Sequence, residues 1–311
     1  MARLGGFLGK QGRFLLENDT QAMIYSAVLA LIPFTGWLSA AVIALITLRK
    51  GWSDGFKCLV VAFMALLVLS LLTMSFPAAC LTAAIAFLPC YLTAVILHET
   101  ASWNVGLGFI VLQALLVIAL IHWLAPEFIT NQFQYIQAIF KQLERESSNS
   151  SALALLNNQS KLTQTVLANY LLGVQSISVV MSALASLMLA RSVQSRLFYP
   201  GGFRQELLAF RANSFGVFLL GLAAIGAYQH NPLAISCLPI LVTYFVFAGL
   251  SLTFSVMTKD KGIGTFILLA VPLLLLPFVT LPIYVILGTL DSLFNFRSYL
   301  SSKTDEKENK G

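Results

Sequence analysis

Residues 22–48 read AMIYSAVLALIPFTGWLSAAVIALITL. The stretch contains no charged residue, and it is longer than the roughly 20 apolar residues that a transmembrane helix needs. It includes Pro33, and a proline kinks or breaks a helix because it lacks the backbone N–H. The stretch therefore predicts a membrane segment that either crosses the bilayer once or is broken near Pro33 and doubles back as a hairpin.

Seven further apolar stretches follow along the chain. They are Cys58–Ser75, Ala78–Leu97, Val105–Leu124, Val166–Ala190, Ser214–Tyr228, Leu233–Met257 and Ile263–Leu290. The last contains Pro272, Pro277 and Pro282, so it leaves the same two alternatives open as the first. The sequence thus predicts an all-α fold, a polytopic transmembrane helix bundle with about eight hydrophobic segments, the first and last being candidates for broken or re-entrant helices.

The composition also indicates a membrane protein. Of 311 residues, 58% are hydrophobic and only 10% are charged, whereas a soluble domain usually has about 25% charged residues. The net charge of +6 is explained by the loops that orient membrane helices, and we expect no nucleic-acid partner. The apolar stretch after Arg3, Lys10 and Arg13 is too long for a secretory signal, so we expect it to be retained.

Positive charge gathers at Arg3–Arg13, Arg49–Lys57, Arg191–Arg211 and Lys259–Lys261. Four predicted spans separate the second cluster from the third, and two separate the third from the fourth, so these three share one side. The positive-inside rule assigns that side to the cytoplasm. The N-terminal cluster joins them only if residues 22–48 form a hairpin, and a second hairpin at 263–290 would likewise place the basic C-terminal tail inside.

This pattern divides the chain into five regions. They are a basic cytoplasmic N-terminus (1–21), a first group of membrane helices (22–125), an amphipathic extramembrane helical insertion (126–165), a second group of membrane helices with a basic loop at 191–213 (166–290), and a polar C-terminal tail (291–311).

The insertion has a helical pattern of its own. Its apolar residues recur at steps of four, three, four and three: Ile129, Phe133, Ile136, Phe140 and Leu143. This spacing predicts one face of an amphipathic helix, followed by a polar hinge at 147–151. A helix lying on the membrane surface explains the pattern, and a lid or a surface for a protein partner is the alternative.

The basic loop suggests contact with anionic lipid headgroups. Residues 191–211 read RSVQSRLFYPGGFRQELLAFR, in which Arg196, Arg204 and Arg211 can each attract such headgroups. A sharper hypothesis is that Gly201 and Gly202 expose backbone amides at a helix start, beside Arg204, as a small anion site.

Few polar residues interrupt the apolar stretches. The substrate-binding candidates are Gln113, Asn169, Gln175, His98 and Glu99. Hydrogen bonds between helices explain the amides, and interfacial contact with water explains His98 and Glu99; a solute site lined by these groups is the alternative. In the fifth span, Ser178, Ser182, Ser186 and Ala190 repeat every fourth residue and predict a face on which another helix packs closely.

The residues give no sign of catalysis. No Asp, Glu, Lys or Arg lies in the middle of any predicted span, which argues against an ion-driven pump or an aspartate protease within the membrane. The three histidines form no metal-binding pair. We therefore expect no enzyme activity, no metal and no cofactor.

Three short stretches resemble a known family. They are LIPFTGWLSA at 31–40 with TLRKG at 47–51, YPGGFRQE at 199–206, and an ending that runs from Leu287-Gly288 through Asp291 and Phe294 to Phe296-Arg297. The chain resembles the YybS-like family of uncharacterised bacterial inner-membrane proteins, which is distantly similar to the substrate-binding subunits of energy-coupling-factor transporters. The resemblance implies a multi-pass protein of the bacterial inner membrane with a small-solute site among its helices.

Three hypotheses about function stay open at this point. The first is a small-solute-binding or transport-related bundle, and the second is an envelope scaffold that uses the amphipathic helix and the arginine loop to hold a protein partner. The third, a membrane enzyme, is the least favoured because no acid, base or metal set converges.

Overall fold

The structure, a computed structural model, describes residues 11–146, 161–257, 269, 271–273 and 275–296. A helical segment at 11–17 precedes eleven longer elements, all of them α-helices. They are α1 (Asp19–Leu31), α2 (Gly36–Lys50), α3 (Trp52–Ser70), α4 (Phe76–Thr100), α5 (Trp103–Leu124), α6 (Pro126–Glu146), α7 (Lys161–Phe198), α8 (Gly202–Ala209), α9 (Ser214–Tyr228), α10 (Pro232–Met257) and α11 (Pro277–Phe294). The predicted all-α helix bundle is confirmed.

Six of these helices are long and apolar enough to cross a bilayer. They are α3, α4, α5, α7, α10 and α11. A seventh crossing is formed if α8 and α9, which meet at a 50° bend, are counted as one span. The described residues therefore contain six or seven candidate crossings, whereas the sequence contains eight apolar stretches.

The first apolar stretch is a helical hairpin. Helix α1 ends at Leu31, α2 begins at Gly36, and Phe34 between them has a positive φ of 66°. The Ser39 hydroxyl of α2 donates to the Ser26 carbonyl of α1 at 2.7 Å, and Lys50 at the end of α2 pairs with Asp19 at the start of α1. The two helices are thus antiparallel, and the chain leaves the hairpin at the end where it entered.

The hairpin enters the bundle without crossing it. Helices of 13 and 15 residues rise only about 20 Å and about 22 Å, less than the roughly 30 Å of a hydrocarbon core. All ten residues from Ser39 to Leu48 are nevertheless buried, because α1, α3, α4 and α7 pack around α2. The hairpin is therefore re-entrant, and α2 forms part of the hydrophobic core.

The last apolar stretch also reverses direction within its described part. The backbone breaks at Leu276, just before Pro277 starts α11. Across that break the Tyr284 hydroxyl donates to the Leu269 carbonyl at 3.0 Å, which places residues on both sides of the turn next to each other. The sequence left open whether residues 22–48 and 263–290 each cross once or double back. In the described part of each stretch, the chain doubles back.

Both reversals bring charged helix ends together at one end of the bundle, which we call the basic end. It contains Lys50, Arg191 and Arg211. Side chains of α4 and α7 contact the Leu48 carbonyl at the end of α2 there, and Arg211 donates to the Ser292 carbonyl at the end of α11. Two of the predicted positive clusters, 49–57 and 191–211, share this end. The clusters at 3–13 and 259–261 and the basic tail lie wholly or mostly outside the described residues.

The amphipathic insertion lies at the opposite end. Helix α6 follows α5 directly after Ala125, and its Ile129 and Phe133 are buried against the bundle. The side chains of Ile136, Phe140 and Leu143 and the hinge at 147–151 lie outside the described part. Helix α7 starts at Lys161 and runs for 38 residues, about 57 Å, so it is longer than a single crossing requires.

Close helix packing uses two of the four small residues in the predicted repeat of α7, together with glycines elsewhere in the bundle. Ser186 and Ala190 are buried, and the Ser186 hydroxyl donates to the Trp37 carbonyl of α2 at 2.7 Å, whereas Ser178 and Ser182 are exposed. The tightest crossing joins α10 and α11, where a Cβ added at Gly249 or Gly288 would overlap backbone atoms of the other helix.

Candidate functional site

A hydrogen-bonded network ties four helices together at the basic end. Arg191 of α7 makes a bidentate pair with Glu206 of α8, with N–O distances of 2.9 and 2.5 Å. The Trp103 indole of α5 donates to the same carboxylate at 2.8 Å. Arg191 also donates to the Gln194 side chain at 2.7 Å, and Gln194 donates to the Leu48 carbonyl at the end of α2 at 3.1 Å. We call these residues the Arg191–Glu206 network.

The network ends on the C-terminus of the buried helix α2. The last carbonyls of a helix have no partner within it, and their dipoles favour nearby donors and cations. His98 lies with Nδ1 3.0 Å from the Leu48 carbonyl, and the Arg49 guanidinium stacks over the Phe198 ring at 4.0 Å. These contacts fix the open end of the re-entrant hairpin to α4 and α7.

The charge state of Glu206 follows from this setting. Burial raises the pKa of its carboxyl, but the hydrogen bonds from Arg191 and Trp103, together with the Arg191 charge, outweigh that effect. The pKa therefore lies below the usual value for a glutamate. Glu206 is ionised at neutral pH, and it holds the short helix α8 against the bundle.

The two glycines of the basic loop do not leave their neighbouring amides free. Gly201, with a φ of +91°, precedes α8, but the Gly202 N–H donates to the Tyr199 carbonyl at 3.0 Å. The Phe203 N–H donates to the Ser195 hydroxyl at 3.1 Å. The helix start therefore satisfies these donors internally, and they do not form the anion site considered from the sequence.

The arginines of the loop take different positions. Arg196 and Arg204 are exposed, as contact with headgroups requires. Arg211 instead donates from Nε to the Asp291 carbonyl and from Nη2 to the Ser292 carbonyl, each at 2.8 Å. It thus caps the C-terminal end of α11, where Asp291 is fully buried.

The polar candidates within the spans do not share one site. Gln113 donates to the Thr93 hydroxyl of α4 at 2.9 Å, Gln175 is exposed on α7, and Glu99 is exposed at the end of α4. Asn169 is buried near the opposite end, with its Oδ1 2.9 Å from Nε2 of His122. Ser236 of α10 donates to the Asn169 carbonyl at 3.0 Å, so this cluster joins α5, α7 and α10.

A cleft of about 610 Å³ opens on the surface of the bundle. It lies between α5 and α9, which both pack on α10 but hardly touch each other. Its walls and floor are mostly apolar. At the basic end it has a polar rim, formed by Asn104, Arg211, Asn213, Ser214 and Ser292. Gln113, Asn169 and Gln175 do not line it.

The rim is held in place by the backbone around it. The Asn104 side chain accepts from the Arg211 N–H at 3.0 Å, and Asn213 caps α9 by accepting from the Phe215 N–H at 3.1 Å. The Tyr244 hydroxyl of α10 accepts from the Asn213 N–H at 3.1 Å. The cleft therefore has a fixed polar mouth, and the described residues gather no group of three His, Cys, Asp or Glu side chains that could hold a metal.

One comparison with known proteins gives a match. Residues 21–292 match the model of the family described as "Predicted membrane protein (DUF2232)". The chain belongs to this family. The match begins within α1 and ends within α11, so it covers both the Arg191–Glu206 network and the cleft. The chain matches no curated protein and no solved structure.

The residues that form the network and the cleft were mostly missed from the sequence. Arg191 and Glu206 are 15 positions apart across a proline-glycine turn, and Trp103 is 103 positions from its partner. One signal was present: Glu206 is the only acidic residue in the basic loop 191–213. An isolated acid among arginines indicates an ion pair, but the sequence does not identify the arginine.

Proposed function

We propose that this protein is a multi-pass protein of the bacterial inner membrane that binds a small molecule in its helix bundle as part of a transport process. The observation that carries the proposal is the cleft between α5 and α9. Its volume of about 610 Å³ lies within the range of roughly 300–1,000 Å³ that small-molecule sites occupy. Apolar walls with a few fixed polar groups are also typical of such sites.

The chemistry of the lining favours binding over catalysis. Arg211 is the one charged side chain among the lining residues, and a guanidinium that stays protonated is a poor acid or base. No nucleophile stands beside a base in the lining, so the cleft is suited to hold a molecule and not to transform it.

Family likeness supports the same proposal. The YybS-like resemblance and its distant similarity to substrate-binding subunits of energy-coupling-factor transporters both suggest a solute held among membrane helices. A likeness of fold does not establish function by itself, and the cleft supplies the site that the analogy requires.

The orientation of the protein follows from charge. The positive-inside rule places Lys50, Arg191 and Arg211 on the cytoplasmic side, and the reversal of both terminal stretches is compatible with that placement. The mouth of the cleft would then open at the cytoplasmic face, and α6 would lie at the outer face.

Two glycines allow a direct test. Gly108 lines the cleft, and a Cβ there would meet only the Tyr244 hydroxyl, at 3.9 Å; Gly221 lies on an exposed face of α9 with nothing within 4 Å. We would measure the melting temperature of the full-length protein in neutral detergent against a panel of vitamins, nucleosides and single-chain lipids.

At least one compound should raise the melting temperature of the wild type and of Gly221→Leu but not that of Gly108→Leu. The proposal fails if no compound stabilises the wild type, or if Gly108→Leu responds as strongly as Gly221→Leu. If no compound in the panel raises the melting temperature, the scaffold hypothesis is favoured. Crosslinking from the exposed position of Arg196 would then test for a protein partner.

A further inference from the structure

We propose that the occupant of the cleft is an anionic amphiphile, a molecule with a phosphate head and a single hydrocarbon chain, which enters laterally from the leaflet at the basic end. This inference rests on the proposed function and names the substrate class of the same site. Four features support it: the length of the cleft, its lateral opening, its charge and its unused donors.

The length of the cleft matches one leaflet. Its lining on α5 runs from Asn104 at the rim to Leu115, a rise of roughly 16 Å at about 1.5 Å per residue. Half of a hydrocarbon core of about 30 Å is about 15 Å. The cleft therefore extends from the basic end to near the middle of the membrane, which is the depth that one acyl chain occupies.

The cleft is open toward the surrounding lipid. Val105 of α5 is 46% exposed and Phe215 of α9 is 63% exposed, although both line it. Among the described helices only α10 packs substantially on both α5 and α9, so within that part of the chain no other helix closes the gap between them. A molecule already in the leaflet can slide in with its chain between these helices, whereas a fully polar solute would leave the apolar walls without a partner.

The rim favours negative charge. Arg211 contributes the one formal charge of the described lining, and no acidic residue lines the cleft. Asp291, whose backbone carbonyl accepts a hydrogen bond from Arg211, is fully buried and lies outside the lining. The N-terminus of α9, at Ser214, adds the partial positive charge of a helix start.

Two donors at the mouth have no acceptor within the described part of the chain. Arg211 uses Nε and Nη2 on the end of α11, which leaves Nη1. Tyr244 is 5% exposed, and its hydroxyl accepts from the Asn213 N–H but donates to none of the described residues. A phosphate head offers only acceptors, so it complements both groups.

Asparagines at the two ends of the bundle provide a matched test of charge. Asn104 at the rim and Asn231 at the opposite end are both exposed, and each accepts a backbone N–H with its side-chain oxygen. Asn104→Asp and Asn231→Asp keep those hydrogen bonds, because an aspartate oxygen accepts in the same place. Only the first adds a negative charge to the mouth of the cleft.

The experiment measures dissociation constants by native mass spectrometry of the full-length protein in a neutral maltoside detergent. The probes are hexadecyl phosphate, hexadecanol and inorganic phosphate, tested on the wild type, Asn104→Asp, Asn231→Asp, Gly108→Leu and Gly221→Leu. We expect hexadecyl phosphate to bind the wild type at least about tenfold more tightly than either other probe, because a hydrogen bond to a charged group is stronger than one to a neutral group.

Asn104→Asp should weaken the binding of hexadecyl phosphate by about tenfold and leave the binding of hexadecanol unchanged, while Asn231→Asp changes neither. Gly108→Leu should abolish binding, and Gly221→Leu should retain it. Equal binding of hexadecanol, or no effect of Asn104→Asp, would overturn recognition of an anionic head.

Two further outcomes separate this inference from the proposed function. Inorganic phosphate binding as tightly as hexadecyl phosphate would overturn the amphiphile, but sensitivity to Gly108→Leu would still support a solute site in the cleft. If Gly108→Leu leaves the binding of hexadecyl phosphate intact, the cleft is not the site, and both proposals fall.

Discussion

The substitution Glu206→Gln should destabilise the protein measurably, because Glu206 is the shared acceptor of the Arg191–Glu206 network. Its carboxylate accepts two hydrogen bonds from Arg191 and one from Trp103. A glutamine has the same shape but presents an NH₂ group to one of these donors, so at least one charged hydrogen bond is lost.

The magnitude follows from the contacts and their exposure. A hydrogen bond to a charged group contributes about 1.5–3 kcal/mol when water is excluded. Here the side chains of Arg191 and Glu206 are 21% and 26% exposed, so partial hydration reduces the loss. We expect the free energy of unfolding to fall by about 1–2 kcal/mol.

The pair Arg13–Glu17 provides the matched control. It joins the same two residue types at 3.0 Å, but its side chains are 78% and 60% exposed. Exposed pairs contribute about 0–1 kcal/mol, so Glu17→Gln should change the free energy of unfolding by less than about 0.5 kcal/mol.

The assay is unfolding by SDS in mixed micelles, followed by tryptophan fluorescence. A double-mutant cycle with Arg191→Met should give a coupling energy of about 1–3 kcal/mol, because Arg191 and Glu206 contact each other directly. A coupling energy no larger than that of Arg13→Met with Glu17→Gln would refute the reasoning, since the network would then stabilise no more than an exposed ion pair.

Three other predictions use different parts of the bundle. Gly288→Ala should lower the free energy of unfolding by about 1–3 kcal/mol, because the added Cβ meets the Phe245 carbonyl. Gly221→Ala, whose Cβ lies in open space, should raise the free energy of unfolding by up to about 1 kcal/mol. Equal stabilities of the two variants in an SDS titration would contradict the close crossing of α10 and α11. Because the pKa of Glu206 lies below the usual value of about 4.3, its stabilising effect is complete above that pH and disappears as the pH falls through the lowered value. The melting temperature of the wild type should therefore fall more steeply below about pH 5 than that of Glu206→Gln, and parallel curves would argue against the ion pair. The side of the membrane can be tested with a membrane-impermeant maleimide and single cysteines in a variant without the native ones. The reagent should label Asn18→Cys and Arg196→Cys from one side of the membrane and Tyr228→Cys from the other. If Asn18→Cys is labelled from the same side as Tyr228→Cys, the first apolar stretch crosses the membrane once.

Much of the fold could be predicted because hydrophobic runs and membrane spans have nearly the same length. The stretches at 58–75, 78–97, 105–124, 166–190 and 233–257 each correspond to a single long helix. The charge clusters also carried information, because the hairpin is the alternative that places both termini of residues 22–48 on one side. The sequence alone left that alternative open, since a run with one proline is compatible with a kinked crossing.

The packing face of α7 shows why the rest could not be predicted. A small-residue repeat identifies a face, but it does not tell which neighbour covers the face or how far that neighbour reaches. Helix α2 covers α7 from Ser186, which contacts Trp37, to Gln194, which contacts Leu48. Since α2 begins at Gly36, Ser182 and Ser178 lie beyond its end and are exposed.

The cleft could not be predicted from the sequence for a related reason. Gln113, Asn169 and Gln175 were candidates because a polar side chain in an apolar run needs a partner. The structure gives two of them ordinary partners on neighbouring helices, Thr93 for Gln113 and His122 for Asn169. The cleft arises instead where α5 and α9 fail to meet, and its rim comes from helix ends that no pattern within one segment identifies.

The network and the cleft are mechanically connected at two places in the chain. Trp103 belongs to the network, and the next residue, Asn104, belongs to the rim. Glu206 holds α8, and the chain that follows α8 contributes Arg211 to the rim. Releasing α8 from Arg191 should therefore loosen Arg211 without altering any group that lines the cleft. We expect Glu206→Gln to weaken the binding of hexadecyl phosphate by a few-fold at neutral pH and Glu17→Gln to leave it unchanged. Unchanged binding in both variants would show that the contacts of Arg211 with Asp291 and Ser292 suffice to fix the rim, and that the network only stabilises the fold.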